Sequence, residues 1–449
     1  MQNIWIKFLC PVAFLASMWI PKLAAEEVES TLPLKDPSSA GWNAHAQATS
    51  VTQYHPQFNS PYSGPNSLSQ DAEYKTSYTA TAFFGFRLWS GGEIYINPEG
   101  QAGSGFSKTT GIAGFPNGEI YRVDTPQPKA SWARVYVKQV FGFGGAKEKI
   151  QDDLNQIEGQ VDGSRLTVIA GKFALNDFFD NNKYTHDPRT QFLNWALMDA
   201  GAWDYAANTK GYTTGALIEW HQKYWALRYA AVEEPKSANS IFLDQTRFPK
   251  TVRGDNLEAE FGYSLFDHPG KLRLLGFINH AHMGSYHDAL ATAKGTPDVT
   301  DSRSNRLKRG GVINIEQDIN EDFGVFLKAG SNDGRNETWA FTEIDRSLTF
   351  GTSGKGSSWG RDDDTLGFAL MKNDLSQDHR DFIKAGGNGF IVGDGRLNYQ
   401  SEKTLEAFYS IGLCKLLHVS PDFQYIQNPA YNYDRGPVKV YSVRAHFQI

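Results

Sequence analysis

Apolar and polar residues alternate with a period of two through segment after segment of this chain, and that alternation restricts the fold more than any motif does. Tyr78, Ala80, Ala82, Phe84, Phe86 and Leu88 fall on one face of an extended strand, with Ser77, Thr79, Thr81, Gly85 and Arg87 on the other. Leu257, Ala259, Phe261, Tyr263 and Leu265 alternate with Glu258, Glu260, Gly262 and Ser264; Phe323, Val325, Leu327 and Ala329 do so with Gly324, Phe326, Lys328 and Gly330. A soluble sandwich also alternates, but its core face is bulky and continuous. Here the apolar faces are thin and mixed with Ala, Gly and Tyr, while charges recur on the opposite face. Past the N-terminus no stretch of about 18 apolar residues occurs, which excludes a protein that crosses a membrane with helices. A closed barrel satisfies both observations, because it pairs every backbone N–H and C=O between strands.

The pattern predicts an all-β fold, a transmembrane antiparallel β-barrel with long extracellular loops, one of them constricting the lumen. Strands are expected at 44–54, 77–89, 93–97, 131–141, 165–173, 212–220, 224–232, 256–265, 271–281, 309–319, 322–331, 342–351, 364–371, 404–413, 416–427 and 437–449, sixteen in all. Tight turns at Ser90-Gly91-Gly92, His221-Gln222-Lys223, Asp267–Gly270 and Asn320-Glu321 mark the periplasmic end; residues 142–164 and 352–363 are too long for that pattern. Tyr441, Val443, Ala445, Phe447 and Ile449 face one way in a strand that runs to the last residue, as a barrel-closing strand does. Aromatic residues at 13% and hydrophobic residues at 40% suit such a barrel better than a large α/β core.

The stretch Gly171–Gly211 is the third long connection and exceeds the roughly 12–15 residues beyond which loops are functional or disordered. Phe173, Phe178, Phe179, Phe192, Trp195 and Trp203 alternate there with amide, acid and base groups. Flat rings interleaved with forked hydrogen-bonding groups suit sugars, which offer C–H faces and hydroxyl rims. The candidate pore-lining, substrate-binding residues are therefore Asn181, Asp187, Arg189, Asn194 and Trp195 of this loop. Arg87, Glu93, Asn97 and Arg134 on the inward parity of the strands are expected to meet them across the lumen. An ordinary Arg–Glu brace of the barrel wall is the competing reading for each charged member.

Lys7, the apolar run Phe8–Ile20 and Leu23-Ala24-Ala25 before Glu26 read as a signal peptide over 1–25. A short Pro/Ser-containing periplasmic arm over 26–40 and a barrel domain over 41–449 follow. Loss of 1–25 removes Lys7 and Lys22 and leaves 42 bases against 50 acids, a formal charge of −8. That argues against a nucleic-acid partner. Only Cys414 then survives, so no intrachain disulfide is expected.

Longer motifs carry a resemblance. Gly111–Glu119 (GIAGFPNGE), the run from Gly171, Asn332-Asp333-Gly334-Arg335 with Glu337–Arg346, Gly393–Tyr399, His418–Ile426 and Asp434–Pro437 recur in order over nearly the whole mature length. In these the chain resembles the carbohydrate-selective porin family, OprB type. The resemblance implies a sixteen-stranded channel in the outer membrane of a Gram-negative bacterium that admits sugars, glucose being the usual association.

Other motifs carry less. Gly356-Ser357-Ser358-Trp359-Gly360 fits the G-x-S-x-G hydrolase pattern without its strand–turn–helix context. His280-Ala281-His282 with His287 lacks a spaced carboxylate or thiolate to complete a metal site. Asn332-Asp333-Gly334 and Arg361–Asp364 offer oxygens for a calcium ion but read as turn residues. The expectation is a channel, not an enzyme, for passive diffusion of mono- and small oligosaccharides, with no cofactor, metal or catalytic set. Its partners are small sugars and outer-membrane lipids, and monomer and homotrimer both remain open. An anion-selective or general diffusion porin carrying ions is the alternative; it would want a lumen dominated by Arg and Lys. An outer-membrane enzyme ranks below both.

Overall fold

The computed structural model describes residues 41–122 and 125–449. The segments assigned from sequence to a signal peptide and a periplasmic arm lie outside the described residues. The first strands are β1 (Trp42–His55), β2 (Glu73–Trp89), β3 (Gly92–Gly103) and β4 (Thr125–Gly142). Two short strands, β5 (Lys147–Ile150) and β6 (Gly159–Asp162), form a sheet of their own. The wall resumes with β7 (Arg165–Phe173), β8 (Thr213–Gln222), β9 (Trp225–Val232), β10 (Arg253–Leu265), β11 (His268–Met283) and β12 (Ser304–Asp318). It ends with β13 (Phe323–Asn332), β14 (Arg346–Lys355), β15 (Thr365–Asp374), β16 (Glu402–Cys414), β17 (Leu417–Gln427) and β18 (Val438–Gln448).

All but β5 and β6 pair antiparallel with their neighbours into one closed barrel, sixteen strands around, in which β18 returns to β1. Closure is in register from Gln47 opposite Gln448 to Tyr54 opposite Tyr441. Each of the sixteen expected segments overlaps a barrel strand. Several differ in extent: β2, β4 and β12 begin four to six residues earlier than expected, at Glu73, Thr125 and Ser304. β3 runs on through Pro98 to Gly103, with a register shift at Asn97/Pro98 that accommodates the missing N–H. β14 starts at Arg346 rather than 342, because the Ile344 N–H bonds locally to the Thr342 carbonyl at 2.8 Å, in a segment that Asp204 holds at Phe341 by a 3.0 Å bond.

Phe84, Phe86 and Leu88 on β2, Leu257 and Phe261 on β10, and Leu348 and Phe350 on β14 lie exposed on the outer face, as the alternation requires. Trp42, Trp89, Trp220, Tyr224, Trp225 and Phe266 gather at the end that carries the short turns and both strand termini, where amphipathic rings form a girdle. That end faces the periplasm.

The opposite half of the lumen is filled. Leu68, Phe106, Ile112, Phe115, Phe179, Trp203, Ile344, Phe382 and Ile391, from five different extracellular loops, are buried in one apolar cluster inside the barrel. The third loop therefore works in company with the other loops. Wall carboxylates tie the loops down through main-chain N–H groups. Glu402 accepts from Ala113, Gly114 and Ala430 at 2.8–2.9 Å. Glu406 accepts from Leu193 and Asn194, Glu258 from Asp180 and Glu316 from Lys183. Within the packed loops, Asp204 accepts from Trp339, Ala340 and Phe341 and pairs with the buried Lys308 at 3.2 Å. Buried polar groups must be paired, and here wall and loop satisfy each other.

Candidate functional site

Beneath this packed plug a cavity of about 780 Å³ opens between the third loop, the connection after β3 and the wall formed by β3, β4, β7 and β8. Six carboxylates and five Lys or Arg side chains line it, so neither sign dominates.

Arg189 is its centre. The Asp187 carboxylate accepts the Arg189 N–H at 2.9 Å and the Thr190 hydroxyl at 3.1 Å, which fixes a tight turn around Pro188. Arg444 of β18 donates to the Pro188 and Gln191 carbonyls and holds that turn against the wall. Gly118 lets it approach: a Cβ there would stand 2.4 Å from the Pro188 Cβ. So placed, Arg189 donates through Nε to Glu119 Oε1 at 3.0 Å and through Nη2 to Glu99 Oε2 at 3.1 Å. Glu99 also accepts from Thr81 and Tyr212 at 2.8 and 2.9 Å. Burial works against ionisation of Asp187, yet the Arg189 guanidinium and N–H hold its carboxyl below the usual range. For Glu119 burial prevails over Arg189, and its carboxyl is raised.

A second pair faces the first. The short turn Leu175–Asp177 at the start of the loop presents Asp177, which takes Arg134 in a two-pronged contact with Nε at 2.7 Å and Nη2 at 2.5 Å. The Arg134 guanidinium lies 5.4 Å from the Tyr212 ring centre. Tyr136, Phe178 and Tyr205 add aromatic surface, and Asn176, Asn181 and Lys210 add donors and acceptors. Paired charges, amides and rings around one aqueous space can exchange hydrogen bonds with a polyol while offering no single-sign funnel to ions.

Of the residues expected from sequence, Arg134, Asn181, Asp187 and Arg189 meet at this cavity. Arg87 and Glu93 do not; they lie 3.6 Å apart near the periplasmic mouth, where Glu93 also pairs with Lys138 at 2.8 Å. Asn97 is fully buried under Asn155. Asn194 caps the one-turn helix Trp195–Met198 and reaches the Gly114 carbonyl and Gln424. Trp195 spends its indole N–H on the Asn117 carbonyl. Both stand in the packed interior, away from the cavity wall. Glu119 and Tyr212 were missed as lining residues, although Glu119 closes the GIAGFPNGE motif and Tyr212 ends the long loop. In the G-x-S-x-G segment, the Ser357 and Ser358 hydroxyls donate to Asp322 at a periplasmic turn.

Compared with known proteins, residues 83–449 match the family model described as carbohydrate-selective porin, OprB family. Among solved structures, the high-pH structure of Pseudomonas putida OprB superposes with a TM-score of 0.69 at 15% identity, covering 91% of this chain and 94% of that one. That likeness shows the fold. Its low-pH structure is similar at a TM-score of 0.48 and 13% identity, covering 91% of this chain and 93% of that one. The outer-membrane channel DcaP of Acinetobacter baumannii is similar at 0.48 and 7%, with 91% and 97% covered. No curated protein matches the chain.

Proposed function

The chain belongs to the carbohydrate-selective porin family, OprB, of outer-membrane channels in Gram-negative bacteria, and from that premise we propose that it lets mono- and small oligosaccharides of the glucose type diffuse passively into the periplasm. The observation that carries this reading is the mutual neutralisation of the charges around the cavity, which we read as the eyelet of the channel: Arg189 against Glu99 and Glu119, Arg134 against Asp177. Such a lining recognises hydroxyl groups rather than net charge. A sugar exchanges its hydration for these groups, and weak multi-site binding lets it leave again.

The test is single-channel conductance in planar bilayers with sugars added. Glucose and short glucose oligomers should lower the KCl current in a concentration-dependent way. Arg189→Ala should weaken that block about tenfold, since a hydrogen bond to a charged group contributes about 1.5–3 kcal/mol at most. It should also shift the channel towards cations by leaving Glu99 and Glu119 uncompensated. A current indifferent to every sugar, or a strong anion preference in the parent protein, would refute the reading.

A further inference from the structure

The connection between β4 and β7 sits at the periplasmic end, where the other turns are short, yet it spans Phe143–Ser164 and carries the β5–β6 hairpin. Its inner end turns back into the barrel. Asn43, at the start of β1, places Nδ2 at 2.7 Å from Asp152 Oδ1 and 2.9 Å from the Gln156 carbonyl. Asn97, on the inner face of β3, donates to Asn155 Oδ1 at 2.9 Å. Arg87 donates to the Glu158 carbonyl at 3.0 Å, and the Ile157 N–H reaches the Tyr95 hydroxyl at 3.3 Å. Ile157 is 4% exposed. It fits because β2 has Gly85 there; a Cβ at that position would stand 3.1 Å from Ile157 and closer still to Asn43 and Tyr95. On the other flank Arg165 grips Glu148 at 2.6 Å.

The tip, Asp153–Gln156, lines the same cavity that Arg189 and Asp187 bound from above. A solute leaving the eyelet for the periplasm therefore passes between this tip and the barrel wall. We propose that the β5–β6 hairpin is a second, inner filter of the pore, a sugar-contacting station built from Leu154, Asn155 and Gln156 against Arg165 and Glu219 of the wall. The assignment of sugar as its ligand rests on the reading above. Asn155 accepts from Asn97 through its amide oxygen, which leaves the amide nitrogen for a hydroxyl; Gln156 donates to the Gln151 carbonyl, which leaves its amide oxygen. Leu154, with Val140 and Leu217 on the wall, supplies the apolar surface that a sugar's C–H face covers.

Two variants of the full chain test this in planar bilayers, with heat-modifiable gel mobility reporting the folded barrel. One replaces 151–157 by two glycines; the other is Leu154→Trp, which puts a larger group into the same space. The filter predicts opposite changes in KCl conductance, a rise of about twofold for the first and a fall for the second. It also predicts that the truncated protein discriminates less between glucose and a glucose trisaccharide. Folded variants that both conduct like the parent overturn the proposal. If the parent conducts but no sugar blocks it, the sugar reading fails, while the opposite shifts in KCl conductance still decide whether the hairpin is a filter.

Discussion

Asp199 of the third loop accepts from Asn176 at 3.0 Å through one oxygen, while the other is buried with no partner among the described residues. Burial, reinforced by Asp180 against the opposing Lys328, pushes its carboxyl from an ordinary 3.8 up to about 7. Below about pH 4 folded and unfolded chains both hold the proton. Between about 4 and 7 only the folded chain keeps it, so stability falls as pH rises, and above about 7 the cost is constant. Asp199→Asn should abolish that slope. Urea unfolding in detergent should show a gain of up to about 4 kcal/mol at pH 8 and none at pH 4. Equal midpoints at pH 8 would mean that Asp199 ionises freely in the folded state. At this same scale the sequence is hardest to read. Asn194 and Trp195 carry the groups a sugar site needs, but a lumen packed like a protein interior uses the same groups to satisfy itself.

The strands were the legible elements, because lipid outside and polar contents inside impose a period of two that a chain of any origin must obey. What stayed hidden was whatever broke that period for a tertiary reason. Thr342–Ile344 reads as strand, yet Asp204 takes the N–H groups of Ala340 and Phe341 just before it, and the Ile344 N–H turns back to the Thr342 carbonyl at 2.8 Å. The β5–β6 hairpin announced itself only as a turn of excessive length, since Ile157 and Gly85, the pair that seats it, lie 72 residues apart. The outer face lends itself to a direct check. Leu257→Arg, two turns of the alternation deeper than the girdle residue Trp225 that faces Phe261, should cost about 2–4 kcal/mol, seen as a lower urea midpoint. Leu265→Arg, on the same face beside the β10–β11 turn, should cost about 1 kcal/mol or less. Equal losses would contradict the assignment of depth along β10. Glu260, on the inner face, is a different matter: it faces Arg228, Lys271 and Arg273 at 2.9–3.1 Å, so an arginine there would meet three cations.

For the whole molecule, the seam between first and last strands decides whether a barrel exists. Ile449 completes it by accepting the Ala46 N–H at 3.1 Å and donating to the Ala46 carbonyl at 2.9 Å. Each unpaired backbone group in lipid costs several kcal/mol. Removing Phe447–Ile449 should therefore abolish the heat-modifiable form and leave a protein that unfolds without a cooperative transition. A truncated chain that still conducted would show that the seam closes through Thr49–Tyr54 alone.

The wall also holds its loops in a way that bears on how such a channel changes over generations. Glu402, Glu406, Glu258 and Glu316 grip amide hydrogens of the main chain, which every residue but proline supplies. The anchors thus recognise the course of a loop and are blind to its letters. Side chains at the gripped positions can drift while the path through the lumen is inherited, and new lining residues can be tried against sugars of other shapes without rebuilding the vessel that contains them.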